Sequence, residues 1–157
     1  EPQPAAKAFV SGQNDAAMTY EPYLSTVRAN PAAGKILATT IDYPMVMDTV
    51  GCDPKWLKAN TAAAKALTQS YFDAVAMIQA EKEKSYEIMG TAVKQSGEQF
   101  GKSAAFLKWS DKEANQKFFA SDLLPFMKEA AVILKEAGVI RSMPENYNVM
   151  YDNSFIK

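Results

Sequence analysis

The chain has 157 residues, of which 48% are hydrophobic and 22% charged, with Lys+Arg at 17 against Asp+Glu at 18 and a net charge of -1. That balance suits one soluble globular domain and excludes wholesale disorder. With no basic block to meet a phosphate backbone, it also argues against nucleic acid as a partner.

The chain opens with Pro4 to Ser11, which read as a helix with proline in its first turn, stopped by Gly12. "DAAMTY", Asp15 to Tyr20, is a short apolar run between a turn signal and a proline, the pattern of a strand covered on both faces. Pro22 opens a helix through about Arg28. "KILATT", Lys35 to Thr40, reads as a second buried strand, and "MVMDTVGC", Met45 to Cys52, as a third. Beyond Asp53 the apolar spacing turns helical. Asp53 and Pro54 form an N-cap and first-turn pair for a short helix. Ala63, Leu67, Tyr71, Ala74 and Ile78 line one face of a long helix starting near Thr61. Tyr86, Met89 and Val93 mark another, after the charged connector "EKEK". Ser96 with Gln99, and Ser110 with Glu113, have capping-box spacing. A last long helix spans about Leu124 to Ala137, closed by Gly138, and the remaining tail is expected to wrap the surface as turns.

Histidine is absent. Its absence removes the commonest general base and transition-metal ligand, so no conventional triad or zinc site is expected, no catalytic residue is assigned and neither metal nor cofactor is implied. The single Cys52 is expected to be a buried structural thiol, because it has no activating histidine and an acid follows it. "SGEQFGKS", Ser96 to Ser103, resembles a phosphate-binding loop, but three residues rather than four separate Gly97 from Gly101 and no strand precedes it. The eight methionines read mainly as core filler.

The informative pair is a tyrosine with a carboxylate at two predicted strand ends: Tyr20 with Glu21, and Asp42 with Tyr43. In an open α/β sheet, ligands gather at such ends, and rings with acids suit a cationic or hydrogen-bond-donating head. The alternative for Glu21 is to cap the helix begun at Pro22 through the N-terminal dipole.

"AAKAFVSGQNDAAMTYEPYLS" resembles the F-x-x-G-x-x-D-A-A-x-x-W-E-P segment of substrate-binding proteins of ABC importers for nitrate, taurine and aliphatic sulfonates, with Tyr20 where tryptophan is commoner. "ILATTIDYPMVMDTVGCDPKWLKANTAAAKALTQSYFDAV" and "YDNSF" extend the likeness over most of the chain. The resemblance implies an α/β fold, part of a type II periplasmic-binding-protein architecture, helix-rich after the first three strands. Residues 1–44 would complete lobe 2, and residues 45–157 would return through the hinge into lobe 1 and the C-terminal helices, the N-terminal half of such a protein being absent. It further implies a non-enzymatic, periplasmic or membrane-anchored extracytoplasmic receptor that delivers a small organic ion, such as a sulfonate or amine, to an ABC permease. Tyr20, Glu21, Asp42 and Tyr43 would contact that ligand in an interlobe cleft. Sheet edges left unpaired would invite self-association. The alternative is the ligand-sensing ectodomain of a signalling receptor.

Overall fold

Proline in the first turn and a left-handed glycine after the last fix the first helix, α1, at Pro2–Val10, with Gly12 at φ 74. A computed structural model describes residues 1–43 and 46–157. Helices of all types make up 61% of it, and among the described residues there is no strand. The expected α/β architecture with three strands is therefore corrected to an all-helical one. The chain divides into two compact units, Glu1–Val46 with Tyr86–Leu107, and Met47–Ser85 with Lys108–Lys157.

The three segments predicted as strands fail for one reason. Asp15 to Thr19, Lys35 to Ala38 and Val46 to Cys52 have no regular element, and among the described residues no backbone hydrogen bond joins them to another segment. Apolar alternation makes a run fit for a sheet, but a strand exists only when a second one supplies donors and acceptors. Here none does. Met18 and Leu37 consequently stand 88% and 83% exposed. Met45, first residue of the third predicted strand and of the segment 45–157, lies outside the described residues, as does Pro44 in the predicted hinge. Cys52 is exposed rather than buried, because it sits at the end of such an unpaired run.

In the first unit, α1 packs on α2 (Tyr23–Arg28), burying Ala6 and Val27. Thr19 Oγ1 donates to the carbonyl of Pro2 at 2.9 Å, tying the extended segment to the start of α1. The later part of this unit holds most of α5 (Lys82–Ala92) and all of α6 (Gly97–Ala104). The capping box forms: Ser96 Oγ accepts from Gln99 N at 3.2 Å, and Gln99 Oε1 accepts from Ser96 N at 3.0 Å. The Tyr86 and Phe100 rings then meet edge to face, their centroids 5.6 Å apart.

The second unit contains α3 (Pro54–Ala59), α4 (Thr61–Ala80), α7 (Lys112–Lys117) and α8 (Leu123–Glu136). Asp53 caps α3 as expected, accepting from Lys55 N and Trp56 N. On α4 the buried residues are Ala64 and Val75, one position on from the predicted stripe, whose Leu67 and Tyr71 are exposed. An alanine-rich helix offers two neighbouring apolar stripes, and periodicity alone does not choose between them. At α7 the cap is Asp111, which accepts from Ala114 N, rather than Ser110. Between α7 and α8 the chain stays helical through a π turn, Phe118–Asp122. Pro125 explains it: lacking an N–H, proline cannot bond the Ser121 carbonyl four residues back and its ring crowds that group, so the preceding turn widens. Gly138, at φ 72, ends α8 in the left-handed cap.

Candidate functional site

Glu21 answers to its own helix. Its Oε2 accepts from the backbone N–H of Ser25 at 3.1 Å and from Ser25 Oγ at 2.6 Å, satisfying a donor that the first turn of α2 would leave orphaned. Its Oε1 faces Arg28 Nε at 3.4 Å, one further turn along. With both oxygens engaged, the Glu21 side chain is only 12% exposed, against 34% for Arg28. With the Arg28 partner open to water and the contact at 3.4 Å, the pair contributes roughly 0.2–1 kcal/mol, so its main effect is orientation. The Arg28 guanidinium also lies 4.1 Å above the centre of the Phe106 ring, in cation–π contact.

Tyr20 is placed differently. It is 63% exposed, with its ring centroid 6.2 Å from that of Tyr23 and the planes tilted by 59°. The first unit thus presents an aromatic surface at the mouth of α2, backed by a carboxylate–guanidinium pair. Such a surface can stack on a flat or cationic group, while Glu21 itself holds the helix start.

Asp42 and Tyr43 form a separate feature. Asp42 Oδ2 accepts from Thr39 N at 3.1 Å and Thr39 Oγ1 at 2.8 Å, closing a local turn, and Tyr43 is 65% exposed. Among the described residues no hydrogen bond, ion pair or ring contact joins Asp42 or Tyr43 to Tyr20 or Glu21. The Thr39 hydroxyl, then the Thr39 N–H, hold the Asp42 carboxyl below its ordinary value of 3.8. A depressed folded value means that this turn is favoured at all pH above the ordinary value and loses that support as pH falls through the folded one. The Thr39 amide proton resonance should therefore titrate with a midpoint below 3.8. It should become insensitive to acid in Asp42→Asn, and a midpoint above the ordinary carboxylate range would contradict the geometry.

Tyr23, Ser25, Arg28 and Phe106 were not singled out by sequence reasoning. Ser25 and Arg28 carried a signal, standing four and seven residues after Glu21 on one helical face. Phe106 carried none, since nothing local connects it to Arg28. Among the described residues no cluster of three or more His, Cys, Asp or Glu side chains is assembled that could hold a metal, and no helix is long and apolar enough to cross a membrane. Set against known proteins, the chain matches no family model, no curated protein and no solved structure.

Proposed function

We propose that this chain works by binding rather than by catalysis, as the extracytoplasmic solute-binding part of an ABC importer that hands a small organic ion, a sulfonate or an amine, to its permease. The observation carrying the proposal is the exposed Tyr20 ring, which lies within the stretch Phe9 to Pro22 that resembles such receptors and meets the half-buried Tyr23 ring just beyond it. In this role Tyr20 contacts the ligand, Glu21 is a positioning residue that fixes the start of α2 through Ser25 and Arg28, and Asp42 with Tyr43 supplies a second, independent contact. A thermal-shift screen of sulfonates, amines, pyrimidines and nitrate tests it. A ligand present at a hundred times its Kd stabilises the native state by about 2.7 kcal/mol, a shift of several degrees. Tyr20→Ala should abolish the shift given by the best solute; an unchanged shift would remove Tyr20 from the role.

A second proposal, a helical interaction module without a small-molecule ligand, is favoured by the helical character of every regular element among the described residues. It becomes the better description if no solute in the screen raises the melting temperature.

A further inference from the structure

In the second unit, residues from three elements line a half-open cavity of about 570 Å³. From α4 come Lys65, Gln69 and Phe72, at the i, i+4, i+7 spacing that aligns side chains along one helical face. The first residue of α7 adds Lys112, the C-terminal 3-10 turn Ser154–Ile156 adds Phe155, and Lys157 follows it. Two hydrogen bonds hold these walls together. Gln116 Nε2 donates to the Ile156 carbonyl at 2.7 Å, and Tyr71 Oη donates to the Ser110 carbonyl at 3.0 Å.

The charged side chains lining the cavity are all cationic. Among the described residues, none of the three lysine ammoniums forms an ion pair. Asp111 and Glu113 flank Lys112 in sequence, Asp111 being engaged as the cap of α7; Asp73 accepts from Gln69 Nε2 at 2.8 Å, and Asp152 accepts from Ser154 N at 2.9 Å. Ser154 hydrogen bonds, and more weakly the Lys157 charge, hold the Asp152 carboxyl below its ordinary value. Phe72 and Phe155 are half-buried and add apolar lining. Three cations with two rings, in a volume within the roughly 300–1,000 Å³ of small-molecule sites, define the ligand's chemistry.

We propose that this cavity binds an organic oxyanion with an aromatic body, the lysines gripping the sulfonate, phosphate or carboxylate group and the two phenylalanines packing on the ring. The site lies in a different unit from Tyr20, so it stands or falls independently of the receptor role.

Calorimetric titration of the full chain at low ionic strength tests it, with benzenesulfonate, phenyl phosphate, inorganic sulfate and benzylamine as probes. Both aryl oxyanions should bind, sulfate more weakly for want of a ring, and benzylamine should give no saturable heat. Whichever of sulfonate and phosphate binds more tightly identifies the preferred head group. The three ammoniums, each contributing as an exposed ion pair does, should together account for a loss of affinity of roughly 3- to 150-fold in the triple variant Lys65→Gln, Lys112→Gln, Lys157→Gln. These lysines are exposed, so the variant should fold. Lys55→Gln with Lys58→Gln, a charge change on α3 away from the cavity, should leave binding unchanged, as should Tyr20→Ala. Undetectable binding of both aryl oxyanions, binding of benzylamine as tight as that of benzenesulfonate, or full affinity in the triple variant would each overturn the proposal. If Tyr20→Ala alone removes binding, the probe is occupying the aromatic surface instead.

Discussion

Gly90→Ala is expected to destabilise the first unit by about 2 kcal/mol, although alanine is the better helix former by about 1 kcal/mol. Gly90 is buried in the last turn of α5, where a Cβ would stand 2.9 Å from the carbonyl oxygens of both Gln95 and Ser96. Those atoms are backbone and cannot rotate away. The chain reverses tightly at this point: Val93 N and Gln95 N both donate to the Gly90 carbonyl, and Lys94 takes a positive φ of 59. A methyl group must therefore push apart the turn that delivers Ser96 to the cap of α6. For a unit of this size the loss amounts to a fall in melting temperature of roughly 10 °C. Gly51→Ala is the matched control, since a Cβ there meets nothing within 4 Å, and it should change stability by less than about 0.5 kcal/mol. Equal effects at the two positions would show that the α5–α6 turn is not as tight as drawn.

What the sequence made legible was the local chemistry. Helix ends at Asp53, Ser96 and Gly138 were readable because a cap is decided by two or three neighbouring residues. The Glu21 cap was readable for the same reason, as one of two roles for that acid. The segments from Asp15, Lys35 and Val46 were misread because pairing is non-local, and an apolar alternation records only that a run is fit to be buried. The molecule's surface carries the mark of that mismatch. It exposes 11904 Å², whereas even two separate globules of half this mass would together expose about 9,400 Å². Met18, Leu37, Ile41 and Val50 contribute to the difference. Of the two candidate sites, half of one could be read from spacing along α2, and the lysine cavity could not. Lys65, Lys112 and Lys157 come together only when the C-terminal turn lies on α4 and α7.

So much exposed surface leaves few side chains carrying the core, and Leu123→Ala should accordingly cost about 3 kcal/mol, within the 2–5 kcal/mol range for buried leucine. Among the described residues the buried apolar ones are Ala6, Val27, Ala64, Val75, Ala104, Leu123, Ala131 and Ile156, and half of these are alanine. Leu123 is 5% exposed at the first turn of α8, beside the π turn that Pro125 imposes. Nearby in sequence, T-shaped contacts of Phe118 with Phe126 and of Phe119 with Tyr151 join the π turn to α8 and to the C-terminal segment. Removing a side chain this buried leaves a space that its surroundings fill only in part, so a cavity term adds to the lost transfer energy. Against a total of about 5–15 kcal/mol for an ordinary domain, the loss takes a large share. Denaturant unfolding should show a lower midpoint with an unchanged slope, the mark of lost stability without a change in the surface exposed. Leu67→Ala, on the exposed stripe of α4, should lose less than about 0.5 kcal/mol. The two leucines lie in the same unit and differ chiefly in burial, so comparable losses would mean that α4 buries the stripe predicted from its periodicity and that the assignment of Ala64 and Val75 to the core is wrong.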